Sequence, residues 1–506
     1  GVINIITNEP KDVVAFSSNS SYTRKNQFSQ GLNLDIAQGK IGSYTSYKYD
    51  HSDGWQNSHL TEDGEDIIET IAPLSLGYSS NNFSQKFTYD ATDQLSFYAN
   101  GGYYNRGLER PVEREDITGG SKYNTTYEGY NWGAGAKYKL SKRNVIQFDY
   151  SGNNYASRYK YLIENSGYLP GQYALTKLQK FHDAELKGIF GFTTNSTTVF
   201  GVDYRREVLR RPDSDLDKSV YTTSAYGQHE VKLWNHLTGV VGVRYDHHEQ
   251  TGGRFTPKVA AMYNIGNFNV RATYAAGFRA PGIDELYYHM FKKTMGTRAT
   301  ISLGDENLDP ERSNYYSINM EYRTNRFSAS VTGYLNYVKN MVTSKSTKFE
   351  DLPEAEQNQL REEFPEIGDL SSTKNLSVKN YFNFEKATVK GFEVNLNGNL
   401  FPGFTLAGNY TYAYGRGLNE GGEWQNIERS IRHTATITGN YTHSWSDYTL
   451  NLNLNGRLQS KVYYPGDADG NAPGYGIWNL NTRHTFDGFR NFVIEPGIGI
   501  DNIFNK

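Results

Sequence analysis

A regular change between short and long connections, repeated along a series of alternating strands, constrains the fold of this sequence more than any other feature. Apolar and polar side chains alternate in stretches such as 268–279 and 449–458, and this period of two predicts half-buried β-strands. Roughly 21 strands can be drawn on this pattern. About every second connection is short, at these positions: 38–40, 91–94, 141–144, 193–196, 265–267, 324–325, 402–403, 444–447 and 487–490. The connections between these are mostly long: 51–82, 107–124, 159–173, 210–218, 280–310, 341–380, 416–427 and 461–474.

This order of connections predicts an all-β fold, a transmembrane antiparallel β-barrel. All short turns would lie at one end of the sheet and all long loops at the other. A soluble β-sandwich also alternates, but it has no reason to keep this order over so many strands. Aromatic residues near strand ends, such as Trp55, Tyr104 and Trp234, fit the girdles at the two lipid interfaces.

The composition agrees with a sheet that has one apolar face and one wet face. Only 37% of the residues are hydrophobic and the mean hydropathy is -0.70. The 506 residues nevertheless include 41 Tyr, 26 Phe and 50 Gly, which is too aromatic for a disordered chain. The sequence contains no cysteine, so disulfides and thiolate sites are excluded. A net charge of -3 argues against nucleic acid as a partner.

Two segments depart from the strand pattern. Residues 350–364 predict a helix that ends before Pro365. We interpret this helix as a solvated cap on an external loop, with a partner-docking surface as the alternative. Asp467 and Asp469 lie close together in a glycine-containing segment, which predicts an acidic turn or a calcium site, because carboxylates are calcium ligands. No glutamate follows at the position that completes an EF-hand loop.

Four segments resemble parts of one family. Residues 1–7, GVINIIT, resemble the strand at which the plug domain passes into the barrel of TonB-dependent outer-membrane receptors. The segment 274–286, YAAGFRAPGIDEL, is similar to the mid-barrel segment of that family, and 307–313, NLDPERS, to its entry into the following strand. Residues 501–506, DNIFNK, resemble the motif before the final external loop. The resemblance is spread over essentially the whole chain.

The resemblance implies a barrel of 22 strands, of which about 21 would be present here. We therefore expect residues 1–10 to be the end of the plug domain and the plug–barrel junction, and 11–506 to be the barrel without its last loop and closing strand. Most of the plug and the TonB box would precede Gly1. The resemblance also implies active import of a scarce, large nutrient across the outer membrane of a Gram-negative bacterium, driven by the TonB–ExbB–ExbD complex.

The class of nutrient is predicted from the loop after Arg279. The residues before and after that loop resemble the boxes of receptors for tetrapyrroles, FRAP at 278–281 and the Asn-Leu half of NPNL at 307–308. The resemblance therefore implies haem as transported ligand, with cobalamin or a ferric siderophore as alternatives, because both boxes also occur in those members. The barrel itself is expected to require no cofactor.

Candidate ligand residues lie within that loop. His289 is predicted to be an axial ligand of haem iron, and Tyr287 and Tyr288 are predicted to stack on the macrocycle. Arg279 would bind an acidic group of the ligand or fix the loop to the barrel wall, and the second role is preferred.

Further candidates lie near the loop ends of other strands. His182 and His248 are predicted to face the ligand, and because neighbours in a strand point to opposite sides, His248 would face inwards and His247 outwards. Basic residues that would attract anionic chelates, or would be solvated charges and lipopolysaccharide contacts, end a nearby strand: Arg205, Arg206, Arg210 and Arg211.

We expect no enzyme. GxSxG, HExxH and Walker patterns are missing from the sequence, and its carboxylates are not paired at a shared spacing. A passive porin or an adhesin is the alternative of a different class, and the junction-like residues 1–7 speak against it. Outer-membrane lipid and lipopolysaccharide are expected partners, and a surface lipoprotein that delivers the ligand is left open.

Overall fold

The computed structural model describes residues 9–505 apart from residue 25, 55–59, 63–64, 68–75, 110–122, 166, 294–298, 371, 419–421 and 465–471. The described strands are, in chain order, β1 Ala15–Thr23, β2 Gln27–Gln38, β3 Ile41–Ser52, β4 Leu60–Glu62, β5 Glu65–Ile67, β6 Gly77–Asp90, β7 Leu95–Glu109, β8 Tyr123–Lys139, β9 Asn144–Tyr161, β10 Tyr173–Thr193, β11 Ser196–Arg211, β12 Leu216–Leu233, β13 Leu237–His248, β14 Gly252–Ile265, β15 Phe268–Arg279, β16 His289–Lys293, β17 Ala299–Leu303, β18 Glu311–Arg323, β19 Phe327–Lys348, β20 Leu376–Phe401, β21 Phe404–Leu418, β22 Trp424–Asn426, β23 Ser430–Ile431, β24 His433–Ser444, β25 Tyr448–Gln459, β26 Val462–Tyr463, β27 Tyr475–Phe486 and β28 Gly497–Ile500.

Helices are few and short. The described α-helices are α1, Ile283–Tyr287, and α2, Glu354–Glu363. Short 3-10 turns occupy Pro212–Ser214, Phe349–Asp351 and Pro365–Asp369. No helix in the described ranges is long and apolar enough to cross a membrane.

The long strands form one large antiparallel sheet in chain order. Each strand of the series is hydrogen-bonded to the next: β1, β2, β3, β6, β7, β8, β9, β10, β11, β12, β13, β14, β15, β18, β19, β20, β21, β24, β25, β27 and β28. This series of twenty-one strands confirms the predicted all-β, antiparallel ladder. Among the described residues no ladder joins β1 to β28.

Tight turns join the strands at one end of the sheet. Gly39, Gly266 and Gly403 lie in turns between paired strands, with φ angles of 60°, 58° and 82°. Glycine adopts these left-handed angles without the steric cost that a side chain would bring. Most of the predicted short connections are therefore found where the sequence placed them, but the one predicted at 487–490 is longer, because β27 ends at Phe486 and β28 begins at Gly497.

The opposite end carries the long connections, and some of them are shorter than the sequence predicts. The connection predicted at 210–218 is much shorter, because β11 and β12 remain paired as far as Arg211 and Leu216. Both strands thus continue beyond the predicted limits, and they provide a wall against which the loop after β15 packs.

Alternation gives the sheet two different faces. In β13, Val241 and Val243 are 59% and 49% exposed. The residues between and after them point the other way, where Arg244 and Asp246 form an ion pair of 2.7 Å. We call the face with exposed apolar side chains the outer face and the polar one the inner face. A continuous exposed apolar surface of this kind suits contact with lipid.

Residues 9–12 lie against the inner face of the first strands. The amide of Lys11 donates to the carboxylate oxygens of Asp35 at 3.1 and 3.2 Å. A Cβ on Gly42 would lie 2.7 Å from Cβ of Pro10, so only glycine lets the segment approach this closely. The assignment of 1–10 to the plug domain and of 11–506 to the barrel stays a prediction.

Candidate functional site

Helix α1 begins the connection between β15 and β18, and Arg279 holds it. The guanidinium contacts Glu285 at 2.9 Å and Glu311 at 2.8 Å. Glu285 also accepts a hydrogen bond of 2.7 Å from the amide of Gly282, which caps the helix. Glu311 accepts another, of 2.8 Å, from the amide of Val342 in β19. Arg279 therefore connects the first turn of α1 to the neighbouring strands of the wall.

Helix α1 packs on the inner face at the loop end of the sheet. Ile283 is buried in a cluster with three residues of β11 and β12: Leu209, Leu216 and Val220. The chain returns past the helix at Gly304, whose amide donates to the carbonyl of Tyr288 at 2.6 Å. A Cβ on Gly304 would lie 2.6 Å from the carbonyl carbon of Leu286. The position of α1 thus depends on close backbone packing as well as on Arg279.

Three tyrosines and three cations come together beside α1. We call them the tyrosine–cation cluster: Arg211, Lys218, Tyr287, Tyr288, Lys379 and Tyr381. Lys218 Nζ is 4.8 Å from the ring centre of Tyr287, and Arg211 Cζ is 5.0 Å from that of Tyr288, whose hydroxyl accepts a hydrogen bond from the same guanidinium. Lys379 Nζ is 4.7 Å from the ring centre of Tyr381. Cations over aromatic faces attract them electrostatically.

The cluster carries an excess of positive charge. Arg211 pairs with Asp213 at 3.1 Å. Within the described part of the chain, neither Lys218 nor Lys379 has a carboxylate at ion-pair distance. Burial raises the pKa of both Tyr287 and Tyr288 above the ordinary phenol value, so both hydroxyls are neutral at physiological pH. The cluster therefore offers aromatic faces, hydroxyls and ammonium groups to a bound molecule.

His289 lies next to the cluster in sequence but contacts helix α2. Its Nε2 is 3.4 Å from a carboxylate oxygen of Glu363, and its ring stacks on Phe364 with centres 4.5 Å apart. The side chain is 55% exposed. Its role as an axial ligand of haem iron stays a prediction, since the same ring nitrogen faces a carboxylate here.

The two longest described connections pack into one unit. Strand β17, which is not one of the twenty-one strands of the antiparallel series, pairs with β20 in parallel, with Ala299 opposite Leu376. A buried core joins this strand pair to α2 and its flanking turns: Ala299, Ile301, Phe349, Leu360, Phe364, Ile367, Leu376 and Val378. The helix predicted at 350–364 is present as α2, and its Leu360 is only 3% exposed. One side of α2 therefore packs into this core, and only the other side is solvated.

His182 lies on the outer face, where it does not meet a ligand held inside. It alternates in step with Leu186, which is 50% exposed, and no register shift separates the two. Its Nδ1 is 2.9 Å from the hydroxyl of Tyr150, and its ring packs beside Trp132. The neighbouring Asp183 points inwards instead, because alternate residues of a strand face opposite sides.

His248 lies on the inner face, as expected from alternation. It is buried and lines a cavity of about 420 Å³ below α1, together with Arg205, Arg244 and Arg279. Each of these arginines is paired with a carboxylate, so the cavity is polar but not strongly basic. Whether His248 contacts a ligand stays a prediction.

The residues of the predicted calcium site are not described by the structure. Asp467 and Asp469 lie outside the described residues. In the ranges that are described, no three His, Asp or Glu side chains are grouped so that they could hold a metal ion.

Lys379 and Tyr381 were not predicted as site residues. Both lie in the first part of β20; Lys379 falls within the long loop predicted at 341–380, and Tyr381 directly follows it. Leu376 and Val378 alternate there with polar residues, and this short alternation was the available sign that the strand extends beyond the expected loop boundary.

The sequence was then compared with known families. The family described as "TonB dependent receptor-like, beta-barrel" matches residues 54–503, which is most of the sheet described above. The chain belongs to this family of TonB-dependent receptors. Its members are outer-membrane proteins, so the outer face of the sheet lies in lipid.

Several curated proteins are similar to this chain. The "Probable TonB-dependent siderophore receptor PirA" of Acinetobacter baumannii is 21% identical over 465 residues, 81% of this chain and 60% of that protein. The "Ferric enterobactin receptor PirA" of Pseudomonas aeruginosa is 24% identical over 288 residues, 52% of this chain and 34% of that protein. The "Vitamin B12 transporter BtuB" of Vibrio cholerae is 21% identical over 286 residues, 54% of this chain and 41% of that protein. The chain thus spans 34% to 60% of the length of these relatives.

Solved structures agree on the fold. The ferric enterobactin receptor PfeA of Pseudomonas aeruginosa superposes with a TM-score of 0.73 at 15% identity, covering 100% of this chain and 76% of that one. The siderophore receptor PirA of Acinetobacter baumannii superposes with a TM-score of 0.71 at 14% identity, covering 97% of this chain and 76% of that one. At such identities the likeness is one of fold.

Proposed function

We propose that the full-length protein imports a ferric siderophore across the outer membrane, driven by the TonB–ExbB–ExbD complex. The observation that carries this proposal is the tyrosine–cation cluster on the inner side of the loop end. Catecholate iron chelates are aromatic and negatively charged, so they would stack on tyrosine rings and pair with lysine and arginine. The names of the two PirA relatives, both siderophore receptors, support the same class.

The architecture around the cluster supports binding by a preorganised site. Arg279 fixes the first turn of α1, and the packing of Ile283 fixes its face against the wall. Tyr287 and Tyr288 are therefore held in one position before a ligand arrives. Preorganisation of this kind reduces the entropy lost on binding.

Cobalamin is the second candidate, because one of the similar proteins is a vitamin B12 transporter. Haem stays a prediction that rests on His289. For axial ligation, the imidazole would exchange its contact with Glu363 for the iron.

A binding titration with purified full-length receptor tests the proposal. Ferric enterobactin, cyanocobalamin and haemin are added in turn, and tryptophan fluorescence quenching is recorded. We expect saturable quenching by ferric enterobactin, with affinity about tenfold weaker for each of Lys218→Gln and Lys379→Gln, since each loses a contact with a charged group. Lys232→Gln is the matched control, because it removes the same charge at the turn end of β12.

Two outcomes would replace the proposal. Quenching by cyanocobalamin with none by ferric enterobactin would favour the cobalamin alternative. A shifted Soret band on adding haemin, weakened by His289→Ala, would favour haem. Equal affinities in all the lysine variants would remove the cluster from the site.

A further inference from the structure

Residues 10–12 cross the inner face of the sheet at its turn end instead of continuing the line of β1. The amide of Ala37 in β2 donates to the carbonyl of Asp12 at 2.6 Å. Two residues earlier, Pro10 lies beside Gly42 of β3 and lines a cavity of about 1150 Å³ against β6 and β7. The segment therefore runs sideways over the ends of several strands before it reaches β1.

The carboxylate of Asp35 holds the middle of this segment. Both of its oxygens accept a hydrogen bond from the amide of Lys11, at 3.1 and 3.2 Å. Hydrogen bonds to an ionised acceptor are about twice as strong as those between neutral groups. Asp35 also lies directly opposite Ala15, the first residue of β1. Its side chain thus links the chain just before β1 to the strand with which β1 pairs.

Gly42 provides the space that Pro10 occupies. A Cβ on Gly42 would lie 2.7 Å from Cβ of Pro10 and 2.5 Å from Oγ1 of Thr88. Thr88 is directly opposite Gly42 in the pairing of β3 with β6, so Pro10 packs over both strands. Any side chain at Gly42 would therefore push the segment away from the wall.

Strand β1 is poorly suited to resist a pull of its own. Its sequence is AFSSNSSYT, in which small polar residues predominate. Within the described ranges it pairs with β2 alone. Its side chains reach that strand through hydrogen bonds such as the one of 3.1 Å between Ser17 and Asn33, and Phe16 is 66% exposed. Little packing between side chains thus holds β1 to its neighbour.

The contacts of residues 10–12 lie between β1 and all of the chain that precedes Glu9. A pull on that preceding chain must break them before it reaches Ala15. The hydrogen bonds between antiparallel strands are perpendicular to the strands, and residues 10–12 approach β1 from the side. A sideways pull on Ala15 would separate β1 from β2 one pair after another, beginning with Ala15 and Asp35.

We propose that Asp35 and Gly42 anchor residues 10–12 to β2 and β3, so that the pull that drives import ends there and does not reach β1. We call this the inner anchor: residues 10–12 with Asp35, Ala37 and Gly42. The inference rests on the proposed function, in which TonB acts on the chain that precedes the barrel. Asp35 is a positioning residue, because it acts through the segment that it holds.

Single-molecule force spectroscopy of the full-length receptor in a lipid bilayer tests the anchor, with the N-terminus pulled from the side of the tight turns. In the parent receptor the chain should extend as far as Pro10 and then resist. At the same force, Asp35→Ala should extend to Thr23, the end of β1, which adds about 45 Å at about 3.5 Å per residue. Gly42→Ala should add the same length, because the new methyl group displaces Pro10.

Two further variants separate anchoring from a general loss of stability. Asp35→Asn keeps an oxygen acceptor for the amide of Lys11 and should restore the parent length. Asn33→Ala is the matched control: Asn33 lies on the same strand and face as Asp35, and its hydrogen bond goes to Ser17 of β1. It should also show the parent length.

The extension lengths decide the matter. The parent length in both Asp35→Ala and Gly42→Ala would overturn the proposal. The added 45 Å in Asp35→Asn, in Asn33→Ala or in the parent receptor itself would overturn it as well. The pull is applied without ligand and without TonB, so the result does not depend on whether ferric enterobactin is imported. Failure of the anchor and failure of the proposed function are thus observed separately.

Discussion

Replacing Arg279 by glutamine should release helix α1 from the wall while leaving the sheet intact. Arg279 makes three charge-assisted contacts, two with Glu285 and one with Glu311. Its side chain is 45% exposed, and those of the two glutamates are 20% and 19% exposed. Solvent screening at this exposure reduces each contact to about 0.7 kcal/mol, so the loss is about 2 kcal/mol. The undocked loop should therefore become about 30-fold more populated.

Hydrogen exchange of the full-length receptor measures this change directly. The amides of Leu286 and Tyr288 donate to the carbonyls of Gly282 and Asp284 at 3.0 and 3.2 Å, and they should exchange about 30-fold faster in Arg279→Gln. Arg271→Gln is the matched control. Arg271 lies on the same strand and face as Arg279 and pairs with Glu321 at 2.8 Å, but it holds no loop. Unchanged exchange in Arg279→Gln, or equal acceleration in Arg271→Gln, would refute the assigned role of Arg279.

Two other predictions concern the packing of the external loops. Gly304→Ala should reduce the stability of the docked loop by about 1–3 kcal/mol through overpacking, because the new methyl group would meet the backbone of α1. Limited proteolysis of the loop should therefore be faster. Gly333→Ala is the control and should have no effect, because there is open space at its Cβ. Leu360→Ala should cost about 2–5 kcal/mol of local stability in the core that holds α2. Limited proteolysis of residues 349–370 should accelerate in that variant and not in Glu362→Ala, whose side chain is exposed; equal rates would argue against the core.

The sheet was predictable from the sequence because its determinants are local. Alternation along β13 and β25 and the glycines of tight turns, such as Gly39, act over a few residues. The outward orientation of His182 could also be predicted from the sequence, because His182 lies four residues from the apolar Leu186 in one strand and so shares its face. The length of the strands was harder to predict from the sequence. Strand β11 continues to Arg211 because its pairing with β12 outweighs the turn residues that follow.

The site was only partly predictable because it is assembled from distant segments. Tyr287 and Tyr288 attracted attention as an aromatic pair within a long loop. Their cationic neighbours Lys218 and Lys379 come from strands far away in sequence. The parallel pairing of β17 with β20 is likewise non-local, and nothing in the pattern around Ala299 specifies it.

Energised iron uptake tests the central claim most directly. Cells that produce the full-length protein as their only ferric siderophore receptor are given radiolabelled iron as ferric enterobactin, with and without TonB. The proposed function predicts saturable uptake that requires TonB and that falls when Lys218 and Lys379 are both replaced by glutamine. Uptake that persists without TonB, or no uptake alongside transport of cyanocobalamin, would contradict it.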